Sequence, residues 1–164
     1  MPAKEKTLND LFLHTLKDVY YAEKQILKSL PKMAKAAESE ELKQAFETHR
    51  EETQGQIERL EQIFGMLGKP ARGVQCEAIM GIIEEGKEVM EDFAESEALD
   101  AGILAAAQAV EHYEITRYGS LKTWAQELGM PDAAKLLDQN LQEEKKTDQL
   151  LTQLAEARVN TKAA

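Results

Sequence analysis

The sequence has a single cysteine, Cys76, in 164 residues. One cysteine cannot close a disulfide within the chain, which fits a reducing compartment. Proline (four) and glycine (nine) are scarce, and Phe, Trp and Tyr together make up only 5%. With few β-branched and aromatic residues, long strands are not expected. No apolar run nears the roughly 20 residues needed to span a bilayer. The longest, residues 103–107, is far too short. The opening Met1-Pro-Ala-Lys-Glu-Lys lacks the apolar stretch of a secretory leader, so we expect a cytoplasmic chain without a membrane partner. A basic footprint is missing too. The formal net charge is -10, and a nucleic-acid partner is not expected.

What is present is helical. Ala, Glu, Lys, Leu and Gln dominate, all strong helix formers. Thr7-Leu8-Asn9-Asp10 reads as a capped helix start. Leu8, Phe12, Leu16, Val19, Glu23, Ile26, Leu30 and Met33 then follow in steps of three and four, one stripe of a long helix. Pro31 removes a backbone hydrogen bond from that helix and is expected to kink it. Ser39 caps a second helix with the stripe Leu42, Phe46, His49, Thr53, Ile57 and Leu60, stopped by Gly68-Lys69-Pro70. A shorter helix is expected over about 74–93. A third long helix is expected over about 96–128, with Ile103, Ala107, Glu111, Glu114, Tyr118 and Leu121 on one face. Gly129 ends it and Pro131 starts the last helix, whose stripe includes Leu137, Leu141, Glu144, Asp148 and Leu151. The polar tail after about Val159 is expected to fray.

The order is hairpin, crossover, hairpin, in one domain spanning residues 1–164 with an ordered core over about 7–158. This predicts an all-α fold: an antiparallel four-helix bundle of ferritin-like layout, with an extra short helix in its crossover. A weak repeat supports the pairing. Glu23-Lys-Gln-Ile-Leu-Lys-Ser-Leu aligns with Glu114-Ile-Thr-Arg-Tyr-Gly-Ser-Leu, and Glu51-Glu52 with Glu143-Glu144.

Acids occupy stripe positions where leucine belongs. Glu23, Glu111, Glu114 and Glu144 lie on the inward faces. Asp148 is one turn beyond Glu144, and His49 and Glu52 stand i, i+3 across the stripe of the second helix. A buried ionised carboxylate costs several kcal/mol unless compensated, and a metal ion is one compensating partner. Carboxylates from four helices with a histidine form the ligand type of di-iron and di-manganese centres. The candidate metal ligands are therefore Glu23, His49, Glu52, Glu111, Glu114, Glu144 and Asp148. Iron or manganese is the expected ion, with zinc a further candidate. The usual Glu-x-x-His pairs are absent: the second helix has the reverse order, His49-x-x-Glu52, and Glu144 is followed three on by Thr147. A metal-free bundle with hydrogen-bonded or protonated acids thus stays open beside the metal reading. Cys76, at a helix start, is either an activated thiol or a small core residue.

Several stretches carry a family resemblance: Asp18-Val-Tyr-Tyr-Ala-Glu-Lys-Gln, Ala45-Phe-Glu-Thr-His-Arg-Glu-Glu-Thr, Gly81-Ile-Ile-Glu-Glu, Val110-Glu-His-Tyr-Glu-Ile and Glu143-Glu-Lys-Lys-Thr-Asp. Over about residues 7–155 the chain resembles the YciE/YciF-type stress-protein family of the ferritin-like superfamily. The resemblance implies a bacterial cytoplasmic bundle, a homodimer and a link to stress. It also implies a dinuclear iron or manganese site held by Glu23, Glu52 with His49, Glu111 or Glu114, and Glu144. We expect either a metal centre that handles peroxide or oxygen, or a non-enzymatic stress or scaffold protein with a vestigial site. For the homodimer, the short helix with Ile79, Ile82 and Ile83 is the expected contact.

Overall fold

A computed structural model of the chain describes residues 4–164. Met1, Pro2 and Ala3, which open the stretch inspected for a leader, lie outside the described residues. Four long helices form the body: α1 (Leu8–Ala36), α2 (Glu40–Met66), α4 (Leu99–Glu127) and α5 (Pro131–Leu154). The shorter α3 (Glu77–Asp92) lies in the crossover. α5 continues through a π-turn, Ala155–Val159, into α6 (Asn160–Ala163). The tail expected to fray therefore extends the last helix: Ala155 and Val159 are buried and anchor it.

The helix ends follow local chemistry. Thr7 and Asp10 form a reciprocal capping box at the start of α1. The Ser39 hydroxyl accepts the Leu42 N–H at the start of α2. Gly68 and Gly129 adopt φ of 63° and 68°, the left-handed conformation that closes a helix without a Cβ penalty. α1 continues as one helix through Pro31 to Ala36. α4 begins at Leu99 rather than near Ser96, because residues 93–98 form turns in which Ser96 accepts N–H groups from Ala98 and Leu99.

α1 pairs with α2 and α4 with α5, while α2 faces α5 and α1 faces α4. The long crossover carries the chain back along the bundle, so every neighbouring pair is antiparallel. This is a ferritin-like four-helix bundle with a fifth helix laid over α1 and α4. Two contacts fix that fifth helix. A Cβ on Gly102 of α4 would come 2.5 Å from Val89 Cγ1, so α3 rests directly on the glycine. A Cβ on Gly73 would meet Tyr21 Cβ at 2.8 Å, where the crossover passes close to α1. Asp100, buried at the start of α4, accepts the Glu38 and Ser39 N–H groups at 2.8 Å each and ties the two helix starts together.

The isoleucines of α3, expected at a self-association contact, differ in exposure. Ile79 is fully buried, and Ile82 and Ile83 pack against the chain's own core. With α1 and α4 both bearing apolar stripes on this side, the helix buries Ile79 within the fold and leaves Ile82 and Ile83 half-buried. No helix among the described residues is long and apolar enough to cross a membrane.

Candidate metal centre

The interior splits into two apolar clusters, one toward each end of the bundle. Between them lies a polar layer. Glu23, Glu114 and Glu144 are each 0% exposed, Glu111 is 2% and His49 is 3%. α1 supplies Glu23, α2 supplies His49, α4 supplies Glu111 and Glu114 one turn apart, and α5 supplies Glu144. Helical periodicity places each carboxylate where a leucine would otherwise fill the core.

One ligand atom from each of His49, Glu111, Glu114 and Glu144 lies within 4.8 Å of the others. Donors bound about 2.0–2.2 Å from one ion stand at most about 4.4 Å apart. The widest pair thus needs to close by at least a few tenths of an ångström for the four to share one ion. Glu23 lies beside Glu144 and Glu114, and the Tyr118 hydroxyl donates to its Oε1 at 2.5 Å. Glu114 and Glu144 therefore belong to both groupings, with His49 and Glu111 on one side and Glu23 on the other.

These groups lack protein partners. Both oxygens of Glu114 and of Glu144, Oε2 of Glu23 and Oε2 of Glu111 are buried without a hydrogen bond among the described residues. His49 Nε2 stands 3.0 Å from Glu111 Oε1 but is not aligned for a hydrogen bond, and Nδ1 is unpartnered as well. Buried polar atoms are normally satisfied, so a concentration of orphans marks a place that something else completes. A hard or borderline cation fits this oxygen-rich set with one imidazole.

The electrostatics agree. Burial pushes Glu23, Glu111 and Glu114 well above the ordinary carboxylate range, and the charge of Glu144 pushes them further. Burial acts on Glu144 as well, but the neighbouring carboxyls of Glu114 and Glu111 and the charge of His49 outweigh it and hold that carboxyl low. Burial alone would lower His49, yet the charges of Glu144 and Glu52 raise it. Without a cation, the layer holds protons.

Two expected ligands stand apart from this cluster. Glu52 is 25% exposed, 3.8 Å from His49 Nδ1, and accepts the Thr147 hydroxyl at 3.2 Å. Asp148 faces outward between helices, 3.2 Å from His112 Nε2, and accepts from Gln108. The i, i+4 spacing keeps Asp148 on the side of α5 that bears Glu144, but α4 offers it polar partners at the rim. The sequence repeat holds for Glu23 and Glu114, both fully buried, and breaks for Glu52 and Glu144.

A supporting network joins α2 to α5 on the other flank. Arg59 donates to Asn140 and Glu143, Gln56 donates to Glu143, and Asn140 donates to the Gln56 carbonyl. Asn140 and Arg59 were not singled out in the sequence. The signal was there: Asn140 sits on the α5 stripe one turn before Glu144. Cys76 caps α3, its Sγ accepting the Ile79 N–H and standing 3.2 Å from the Tyr113 hydroxyl, which donates to Asp18. Cys76 is 1% exposed within the apolar core, and burial pushes its thiol up.

Fold and site together define a ferritin-like helical protein with a buried His–carboxylate cluster. A model of the family described as "Domain of unknown function (DUF892)" matches residues 7–164, and the chain belongs to that family. It is 50% identical to Protein YciF of Escherichia coli (strain K12) over 159 residues, 96% of each chain. The crystal structure of the E. coli stress protein YciF superposes with a TM-score of 0.90 at 49% identity, covering 95% of this chain and 99% of that one. YcfI from Rhodopseudomonas palustris gives a TM-score of 0.88 at 50% identity, covering 93% and 97%. A protein from Xanthomonas campestris pv. campestris shares the fold at a TM-score of 0.74 and 24% identity, covering 94% of each chain.

Proposed function

We propose that this chain is a stress-associated protein that binds iron or manganese through Glu23, His49, Glu111, Glu114 and Glu144 and brings it together with oxygen or peroxide. One observation carries the reading. Four carboxylates are buried together with one imidazole, and no Lys or Arg is buried among the described residues to neutralise them. Only protons or a cation can do so. The similarity to the E. coli stress protein supports the link to stress.

A bound ion would supply a Lewis-acidic, redox-capable centre open to a small oxidant. The protein's own residues do the rest. Tyr118 orients Glu23 through its hydroxyl. The Arg59–Asn140–Glu143 network fixes the register of α5 against α2 and so the height of Glu144. The apolar clusters on both sides exclude bulk water. Glu52 and Thr147 stand at the edge of the layer, where solvent meets His49.

Metal analysis of protein purified without chelator tests the proposal. We expect stoichiometric iron or manganese in the wild type and its loss in Glu23→Ala/Glu144→Ala. Absence of iron, manganese and zinc from both sinks it. A second reading, a metal-free scaffold, is favoured by the raised pKa values of three of the glutamates, which let them sit protonated. Thermal melts from pH 5 to 8 with and without added metal separate the two, because a ligand that binds only the folded state raises its melting temperature. The homodimer belongs to the proposal too, with the half-buried Ile82 and Ile83 of α3 at its contact. Sedimentation equilibrium returning a monomer mass would remove that part.

A further inference from the structure

The polar layer can be reached from two sides, and the sides differ in chemistry. Under α3 lies a cavity of about 50 Å³, walled by apolar side chains such as Ile26 and Leu30 of α1, Phe46 of α2, Ile83 of α3 and Val110 of α4. Its inner end is formed by His49 and Glu111, which belong to the cluster described above. The second approach is a surface cleft of about 370 Å³ between α2 and α5, lined by Thr48, Glu52, Lys146, Thr147 and Gln149, which also ends on His49.

We propose that the cavity beneath α3 holds a small, uncharged, apolar molecule of the size of dioxygen and presents it to the His49–Glu111 edge of the cluster. A single water needs only about 10–15 Å³ measured in this way, so about 50 Å³ takes a diatomic or triatomic molecule. Walls this apolar favour nonpolar gases, because the wall atoms lack dispersion partners across the void. Hydrogen peroxide would lose its hydrogen bonds along the apolar walls and regain them only at His49 and Glu111. It and hydrated cations are better served by the α2–α5 cleft, with its hydroxyls, amide and charged side chains. Of the two oxidants named above, the cavity thus selects dioxygen. The space exists because the crossover helix stands in for a missing wall. Gly86 of α3 brings no side chain, and a Cβ there would reach only ordinary contact with Ala106 Cβ at 3.6 Å.

The inference rests on the metal reading for its purpose, but not for its test, which uses metal-free protein. With methyl groups of Ile, Leu and Val labelled, spectra are recorded under nitrogen, dioxygen and xenon. Dioxygen is paramagnetic and is expected to broaden Ile26, Ile83, Val110 and Leu151 at least threefold more than Leu16, Leu121 and Leu137 at the other end. Xenon is expected to shift the same four saturably, and hydrogen peroxide to shift none. Ala106→Met, which pushes a flexible side chain into the void, is expected to remove both effects. Ile83→Ala, which enlarges the void, is expected to increase xenon uptake and guards against a filled variant that misfolds. Equal broadening at both ends overturns the proposal, as does equal response to peroxide or an unchanged response in both variants. Metal analysis is independent. Absence of bound metal with gas uptake intact defeats the metal reading alone. Bound metal without gas uptake defeats only this one.

Discussion

Toward the end of the bundle where α1 starts and α2 ends, Phe12, Leu16, Leu60, Ile63, Phe64, Tyr118 and Leu121 are all fully buried, and four helices suffice to enclose them. Toward the other end, the core needs α3 as a fifth wall and keeps a cavity. Both halves bury apolar surface, and the cavity that ends on the polar layer lies in the half that α3 closes. The crossover helix is therefore more than a connection. It closes one half imperfectly, and the imperfection lies against the carboxylate layer.

The sharpest way to break this contrast is to truncate matched leucines. Leu16→Ala in the half that four helices enclose is expected to cost about 3–5 kcal/mol. Leu151→Ala, at the cavity wall, is expected to cost nearer 2 kcal/mol, since a side chain facing a void has fewer contacts to lose. Chemical denaturation measures both, and the reverse order would show that the halves are packed alike.

The polar layer between them answers differently. Glu114→Leu replaces an unpartnered buried acid by a side chain of similar volume. In metal-free protein it is expected to stabilise by about 1–3 kcal/mol while abolishing any gain on adding metal. Loss of stability in the metal-free state would show that Glu114 has a protein partner after all.

Gly102→Ala tests the attachment of α3. The added methyl would meet Val89, and we expect a loss of about 1–3 kcal/mol from lifting the helix. Increased hydrogen exchange in α3, but not in α5, is the accompanying readout.

The smallest effect is in pH. Glu23, Glu111 and Glu114 have folded pKa values raised above the ordinary 4.5, so the folded metal-free protein binds more protons than the unfolded chain above that pH. Stability then falls as pH rises from about 4.5 upward. His49, raised above its ordinary 6.5, acts in the same sense: its contribution is full below 6.5 and lost above. Glu144, held low, contributes a stability already complete above 4.5 and lost only in acid. Metal-free melts at pH 5.5 and 8 are expected to show the lower melting temperature at pH 8, with the gap closing when metal is added. A melting temperature that rises with pH would mean that the acids are compensated in the absence of metal.

Much of this could be read along the chain. The stripes of α1, α2, α4 and α5, the caps at Thr7 and Ser39 and the stops at Gly68 and Gly129 follow from local rules, and each matches the structure. Glu23, Glu111, Glu114 and Glu144 could be picked out because a charge on an apolar stripe is an exception with a cost. Glu52 and Asp148 share those stripes, but one helical position gives a direction only to within tens of degrees. Whether it points inward or to the rim depends on the facing helix, here Thr147 for Glu52 and Gln108 with His112 for Asp148. The isoleucines of α3 show the same limit: an apolar stripe marks a face to be covered, not what covers it.

By itself, then, the sequence determined the helices, their order and the inward acids, because periodicity, capping and the cost of buried charge act within a few residues of one another. Only the tertiary structure decided which acids meet, which stand at the rim, that Cys76 is buried and that a cavity ends on His49. Those are relations between helices far apart in the chain, set by how side chains interlock across the bundle.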